Sequence, residues 1–332
     1  MALIDFQYPE DVSIPEDFPE REYTKFNPTT PEQTGKFGQL KLFVTELFFL
    51  CNYWDPSRIK SLTVLYIGAG PGHHLVPLVR MFPTINWELY DLQEFAPGLK
   101  DLPNVTFFEK YFEDSDIPRY SNRDDVFLIC DIRNLTYKQG DVKWTWSNES
   151  KALEDMKLQE SWFLKIKPVW GLLKFRLPYA QKEVIKRLGD SWNYLDGQIY
   201  IQPWIGITSS ETRLIVSRDN LIPKDWDYSK YERQMSYHNG VRRLQKWRSK
   251  YSIEYDSRKD PSKSPVDSKK RYEKNSKVFV LSNYYDSIVT METLAHYLRR
   301  TYPSKSLDIK TLKSLTEKII VPIVNLKDVE DE

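Results

Sequence analysis

The sequence contains few cysteines, only Cys51 and Cys130 among 332 residues. Both lie in apolar runs, so we predict buried free thiols in a reducing compartment, with a disulfide as the less favoured alternative. A chain of this length can bury a large apolar core, so its stability should require neither a disulfide nor a metal.

Long apolar runs are also missing. No stretch reaches the roughly 20 apolar residues that a helix needs to cross a bilayer. The first twenty residues are acidic rather than basic and apolar, which is not the pattern of a signal peptide. The sequence therefore predicts no leader, no membrane anchor and no membrane partner.

A strong net charge is absent, because 48 basic and 47 acidic residues leave the chain at +1. Overall charge therefore predicts no polyanion partner, and any nucleic-acid surface must be a local patch. Histidine is rare too. His73 and His74 are adjacent and would point apart on a helix, His238 and His296 are distant, and no cysteines cluster, so we predict no metal site.

Glycine is scarce, with 12 in the chain, yet Gly68, Gly70 and Gly72 fall together in "LYIGAGPGHH" at 65–74. An apolar strand followed by glycines and a helix directs backbone N–H groups and the helix N-terminus at a ligand. A tight turn without any ligand is an equally good interpretation of the glycines alone.

The spacing of these glycines narrows the choice of ligand. The dinucleotide fingerprint G-x-G-x-x-G needs glycine at position 73, which is histidine, and Pro71 lacks an N–H that a pyrophosphate would use. This disfavours an NAD oxidoreductase. G-x-G-P-G after a strand is typical of S-adenosylmethionine-dependent methyltransferases. Asp91, at the end of the next strand, could bind ribose hydroxyls in either class.

Strands and helices alternate along the first two thirds of the chain. We predict strands at 61–70, 85–91, 105–112, 124–133, 171–178, 198–204 and 212–218, and helices at 35–54, 73–82 and 150–166. This order predicts an α/β fold with a mainly parallel central sheet and helices on both faces. Together with the glycine motif, it indicates a Rossmann-like fold of the methyltransferase type. Asp91, Asp131 and the glycine turn should meet at the carboxyl ends of the strands, where such sheets bind ligands.

Four segments are predicted. Residues 1–34 form an N-terminal arm, 35–245 the methyltransferase domain, 246–277 a basic flexible loop, and 278–332 a helical extension packed on the core. From about 219 the pattern becomes helical and charged. Between 258 and 277 there are eight basic and three acidic residues, which fits either an RNA-tracking loop or a solvated linker.

Several motifs in order resemble the poxvirus cap-specific 2′-O-methyltransferases that double as the small subunit of poly(A) polymerase. They are "GQLKL", "YIGAGPGHH", "DIR", "LLKFRLPY", "SSETRL" and "YERQM". The resemblance covers roughly residues 23–245 and is weaker over 278–322, as in a homologue from a large DNA virus. It implies a Lys-Asp-Lys-Glu tetrad made of Lys41, Asp131, Lys174 and Glu211.

The chemistry of ribose methylation gives these residues roles. A 2′-OH must lose its proton as it attacks, and a lysine can accept that proton only if burial and a second cation lower its pKa. Lys174 is therefore the expected base and Lys41 the second cation, while Asp131 and Glu211 hold the lysines and keep the site near neutral. The expected cofactor is S-adenosyl-L-methionine.

The resemblance also implies two binding sets. Cofactor contacts fall on Gln39, Tyr66, Gly68, Gly72, Asp91 and Arg133. Cap and RNA contacts fall on Tyr23, Arg176, Tyr179, Ser209 and Glu232. In this set the two tyrosines sandwich N7-methylguanine, Glu232 accepts from the base and Arg176 lies along phosphates. Packing at the edge of the core is the alternative for both tyrosines.

Two positions depart from the family pattern. Gln181 replaces an acid two positions after the stacking aromatic, which should weaken selectivity for the methylated base, and Gln93 replaces a basic residue beside Asp91.

We expect conversion of cap 0 to cap 1 on capped mRNA, in the virion and host cytoplasm. The alternative is a non-catalytic processivity subunit for a viral poly(A) polymerase catalytic subunit, which the intact tetrad disfavours.

Overall fold

The computed structural model describes residues 12–23, 37–133, 146–206, 208–244, 285–303 and 308–324. Its helices are α1 (Gly38–Tyr53), α2 (Leu75–Met81), α3 (Pro97–Lys100), α4 (Trp146–Ile166), α5 (Lys182–Leu188), α6 (Tyr228–Gly240), α7 (Tyr285–Thr301) and α8 (Ile309–Val324). Its strands are β1 (Thr63–Ile67), β2 (Asn86–Tyr90), β3 (Val105–Phe108), β4 (Val126–Cys130), β5 (Trp170–Phe175), β6 (Ser191–Leu195), β7 (Gln198–Tyr200), β8 (Thr212–Ser217) and β9 (Pro223–Asp227). Within these ranges no helix combines the length and apolar character needed to span a bilayer.

Seven strands form the central sheet, in the order β3-β2-β1-β4-β5-β8-β7. The first five strands in this order, β3, β2, β1, β4 and β5, are parallel to one another. β8 runs antiparallel to both of its neighbours, β5 and β7. Both β1 and β4 are buried along their whole length, as expected for strands covered on two faces. The predicted fold, a mainly parallel sheet of the Rossmann-like methyltransferase type, is confirmed.

Helices cover both faces of this sheet. Phe49 of α1 packs on Phe127 of β4, with ring centroids 5.5 Å apart. Phe163 of α4 lies against Gly171 of β5, on the opposite face. The two C-terminal helices α7 and α8 pack on α1 rather than on the sheet. Cys51 and Cys130 are buried free thiols as predicted, and burial raises the pKa of each to about 12.

The described part of the N-terminal arm, 12–23, runs along the edge of the sheet at β7. The carbonyl of Val12 accepts from the Ile201 amide at 2.7 Å, and the Val12 side chain is buried. Glu16 then contacts the ammonium groups of Lys224 and Lys230. Backbone pairing and ion pairs thereby lead the chain from β7 towards α6.

One architectural feature differs from the sequence prediction. A second, two-stranded antiparallel sheet joins β6 to β9. The segment after 219 therefore begins with a strand, and it becomes helical only at Tyr228. The whole of the predicted basic loop, 246–277, lies outside the described residues, as do 1–11 and 24–34 of the predicted arm and 278–284, 304–307 and 325–332 of the predicted extension.

Candidate active site and cap cleft

The candidate site lies at the carboxyl edge of the parallel strands. Ile67 pairs with both Tyr90 and Cys130, so the residues that follow these three emerge side by side. They are Gly68, Asp91 and Asp131. β8 runs antiparallel to β5, so Glu211, which precedes it, reaches the same edge.

The glycine turn is shaped for close approach of a ligand. Gly68 and Gly72 have φ of +80° and +70°, where side chains are strained. A β-carbon on Gly68 would lie 3.0 Å from the backbone of Asp131. The Asp91 carboxylate accepts from the amides of Gly70 (2.9 Å) and Gln93 (2.8 Å). Each carboxylate oxygen retains a lone pair for a ribose hydroxyl, so the turn fits a nucleoside ligand.

Two predicted cofactor residues take part in a buried network behind this turn. The Gln39 oxygen accepts from the backbone amide of His74 at 3.0 Å. The Tyr66 hydroxyl donates to Glu46 at 2.7 Å, and this tyrosine is 1% exposed. The Tyr66 side chain therefore supports the turn from behind, while Gln39 is half-buried at its rim.

The structure brings the four tetrad residues together. The Lys174 ammonium lies 2.9 Å from Asp131 and 3.8 Å from Glu211. The Lys41 ammonium lies 2.9 Å from the other oxygen of Glu211. Arg133, predicted as a cofactor contact, lies 3.5 Å from Glu211 and so borders the tetrad. These groups come from α1, β5 and the segments beside β4 and β8.

Arg213, which the sequence reasoning missed, completes the cluster. It is 1% exposed, and its guanidinium donates to the same Asp131 oxygen as Lys174, at 2.8 Å. The sequence feature that could have pointed to Arg213 is a charged residue inside the apolar run "TRLIV", which was predicted as a strand. With Arg133 and Arg213, four cationic groups surround two carboxylates, so the predicted near-neutral balance is shifted towards positive charge.

Electrostatics in the cluster favour the charged forms of its acids. Burial alone would raise the pKa of Asp131, but Arg213 and Lys174 outweigh it and hold that pKa well below its usual range. The pKa of Glu211 is lowered for the same reason, chiefly by the two lysines. Burial would lower the pKa of Lys41, but Glu211 and Asp131 raise it. Lys41 is therefore a permanent cation.

Gln159 of α4, also missed, holds Lys174 by its backbone. Its amide accepts from the Lys174 N–H at 3.0 Å and donates to the Lys174 carbonyl at 3.1 Å. The pairing of β5 with β4 ends at Leu173, so Lys174 would otherwise lack these bonds on that side. The sequence offered no signal for Gln159, because its burial appears only in the fold.

A cleft lies beside the tetrad. Its walls come from the arm, the segment before β8, and α6. Four of the five predicted cap residues line it, namely Tyr23, Tyr179, Ser209 and Glu232. The Ser209 hydroxyl accepts from the Glu211 amide at 3.1 Å, so one short segment serves both the cleft and the tetrad.

Fixed contacts orient the cleft side chains. One Glu232 oxygen accepts from the Ala180 amide at 2.8 Å, and the Tyr179 hydroxyl donates to the Thr208 carbonyl at 3.3 Å. Tyr23 is 54% exposed. The structure therefore places Tyr23 and Tyr179 at a cleft and not within the core.

Arg176, the fifth predicted cap and RNA residue, is not among the residues that line the cleft. It is 5% exposed and bound to Glu149 of α4 at 2.6 Å. Its guanidinium also lies 5.2 Å from the centre of the Tyr179 ring. This buried, ion-paired arginine supports the Tyr179 ring from within, and its contact with phosphates stays a prediction.

Comparisons with known proteins show to which family the chain belongs. The family model described as poly A polymerase regulatory subunit matches residues 10–285. Two curated relatives, from the Lausanne and Uriarra strains of myxoma virus, are named cap-specific mRNA (nucleoside-2′-O-)-methyltransferase. Each is 30% identical over 226 residues, covering 64% of this chain and 63% of the relative's length. On the match across residues 10–285, the chain belongs to the poly A polymerase regulatory subunit family.

Proposed function

We propose that the protein methylates the ribose 2′-OH of the first transcribed nucleotide of capped mRNA. The observation that carries this proposal is the joining of tetrad and cleft by Ser209 and Glu211, which are hydrogen-bonded neighbours. A cap base in the cleft would deliver the adjacent nucleotide towards Lys174. The name of the myxoma virus relatives supports the same activity.

S-adenosyl-L-methionine is the cofactor that the glycine turn fits, and when bound it would supply the methyl group. Gly68 and Gly72 leave backbone open to it, Asp91 can receive two ribose hydroxyls, and Gln39 can donate to an acceptor group. Pro71 has no N–H to offer a pyrophosphate, which disfavours a dinucleotide ligand.

Lys174 is the proposed base. Lys41 stays charged because two carboxylates raise its pKa, and arginines do not release protons in this range. Lys174 is the remaining lysine of the tetrad and the one to which the resemblance assigns proton acceptance, and it lies at the end of β5 with its ammonium 2.9 Å from Asp131. Gln159 and Asp131 fix its position, and positioning can supply about 7–11 kcal/mol of the rate acceleration.

The cleft fits a methylated cap base. N7-methylguanine is a cationic aromatic ring, which binds well between two electron-rich tyrosines. Tyr23 and Tyr179 line the same cleft. With one Glu232 oxygen bound to Ala180, the other can accept from the guanine edge.

A filter assay with radiolabelled S-adenosylmethionine tests the proposal. Three RNAs of one sequence would carry a methylated cap, an unmethylated cap or a 5′-triphosphate. We expect label in the methylated-cap RNA, less in the unmethylated-cap RNA, and none in the triphosphate. Absence of label in all three would refute the enzyme, and equal label in all three would refute the cap cleft.

The family description favours a second function, that of a regulatory subunit for a poly(A) polymerase. We propose that this chain serves both roles, in the virion and the host cytoplasm. A polymerase elongation assay with Lys174→Ala separates them. Unchanged stimulation by this variant would show that the polymerase role does not depend on methyl transfer.

A further inference from the structure

A buried hydrogen-bond chain behind the glycine turn contains an acid and a histidine that the proposed reaction does not use. His74, at the start of α2, is 2% exposed, and Glu46, on α1, is 1% exposed. The His74 ring contacts the Gln39 oxygen through Nδ1 at 3.0 Å and a Glu46 oxygen through Nε2 at 3.2 Å. The chain therefore runs from Gln39, at the cofactor site, through His74 to Glu46.

The backbone of His74 determines the direction of these bonds. A backbone N–H can only donate, so the Gln39 atom 3.0 Å from it must be the amide oxygen. The same oxygen faces Nδ1, which must therefore carry a hydrogen. A neutral imidazole has only one N–H, so Nε2 would then be a bare acceptor facing a carboxylate.

The bare nitrogen and the carboxylate can coexist only if a proton lies between them. Besides His74, the Glu46 oxygen Oε1 is bonded only by the Tyr66 hydroxyl, and Oε2 has no partner among the described residues. A full negative charge at a site so poorly supplied with donors would be costly. One proton placed on either Nε2 or Oε1 removes the repulsion between the bare nitrogen and the carboxylate. It also removes the cost of an uncompensated negative charge on Glu46.

This arrangement has a consequence for Gln39. Since its oxygen takes both bonds from His74, its NH2 group is the end left for a ligand. Among the residues that the structure describes, none accepts a hydrogen bond from that NH2 group. A ligand group beside it must be an acceptor, as the carboxylate of an amino-acid moiety is.

We propose that His74 and Glu46 share one proton, and that this proton orients the Gln39 amide so that its NH2 group faces the cofactor carboxylate. The cofactor part of this inference rests on the proposed function. His74 and Glu46 are positioning residues, since they act through Gln39. Without the shared proton, His74 would favour Nε2–H towards Glu46, and its bare Nδ1 would repel the Gln39 oxygen.

Nitrogen-15 NMR of the histidine rings in the full-length protein tests the hydrogen-bond chain without any cofactor. The His74 signals are assigned by their loss in His74→Asn, among the four histidines of the chain. We expect a protonated Nδ1 at neutral pH. A bare Nδ1 with the hydrogen on Nε2 would overturn the proposal.

Calorimetric titration with S-adenosylhomocysteine tests the consequence. Glu46→Gln, whose amide can donate to Nε2 as the protonated acid would, should weaken binding less than threefold. Glu46→Ala should weaken it about tenfold, the loss expected when one hydrogen bond of about 1.4 kcal/mol is removed. Equal affinities for Glu46→Ala and wild type would overturn the positioning role. Failure of the wild type itself to bind would instead overturn the proposed cofactor.

Discussion

The ammonium group of Lys174 lies 2.9 Å from Asp131, which follows the neighbouring parallel strand. Asp131 keeps a second partner in Arg213 at 2.8 Å. Removing the lysine therefore leaves no unpaired buried carboxylate, and the site should keep its shape.

Lys174→Ala should consequently reduce methyl transfer about 100- to 10,000-fold, the contribution of a positioned general base. Binding of S-adenosylhomocysteine should be unchanged. Lys174→Arg should be equally inactive, because it keeps the charge but does not act as a base. The filter assay and calorimetry measure the two effects, with the exposed Lys182→Ala as control. Near-normal turnover by either Lys174 variant would contradict the base assignment.

Substitutions in the cleft should act on cap recognition alone. Tyr179→Ala and Tyr23→Ala should each weaken binding of methylated-cap RNA by about 1–3 kcal/mol, the value of one stacked base. The phenylalanine variants should lose far less, since they keep the ring. Tyr111→Ala removes an exposed tyrosine that does not line the cleft and is the control. Fluorescence titration with a cap analogue gives the affinities, and equal loss in all variants would argue against stacking.

The buried pair Arg243–Asp286 ties the segment after α6 to α7. Both side chains are fully buried, 2.6 Å apart, and Arg243 also donates to the Ile205 carbonyl at 2.8 Å. Asp286→Leu or Arg243→Met alone should lower the free energy of unfolding by about 3–5 kcal/mol, because one charge is left buried without its partner. The double variant should lose much less than the sum.

Denaturant unfolding of the two single variants and the double variant measures this coupling. The exposed pair of Arg187 and Glu183 supplies the matched control, and Arg187→Met should change stability by less than about 1 kcal/mol. Additive losses in the buried pair would contradict the expectation.

His238 should make the protein sensitive to acid. Burial, together with Arg242 and Arg243, holds its pKa well below the ordinary value, and neither ring nitrogen has a partner among the described residues. Below about pH 6.5 the unfolded chain takes up a proton here that the folded chain does not. The free energy of unfolding should therefore fall as pH decreases, by up to about 1.4 kcal/mol per pH unit.

His238→Phe should remove this contribution. Unfolding curves of the variant and the wild type at pH 8, 6.5 and 5 test it, and the difference at pH 8 reports the change in packing alone. We expect the variant to gain relative stability between pH 6.5 and pH 5. A constant difference at all three values would show that His238 does not titrate as the structure implies.

Sequence pattern was sufficient for the parallel strands β1 to β5. Their residues form short, largely apolar runs, as parallel strands covered on both faces do, and the runs of β1, β2 and β4 lead into Gly68, Asp91 and Asp131. The pattern failed for β6 and β9, "SWNYL" and "PKDWD", because they lie at the surface and their pairing joins distant segments. The strands predicted at 105–112 and 198–204 were also too long, because pairing stops at Phe108 in β3 and at Tyr200 in β7.

The candidate site was harder to predict from the sequence than the fold was. The tetrad came from a family resemblance, because each charge alone looks like an exposed group near the end of an element. Arg213, Gln159 and Glu46 were missed since their importance depends on burial, which pattern alone does not give. Only the fold shows that Glu46, within "VTELFFL", is enclosed.

The cleft joins Tyr23, near one end of the chain, to Glu232, far along it. A ribosome would therefore release most of the polypeptide before the two could meet. Cap recognition would be among the last properties the newly made protein acquires. A protease cut between the arm and α1 would leave one wall of the cleft held only by non-covalent contacts, while the sheet and its tetrad stay in a single piece.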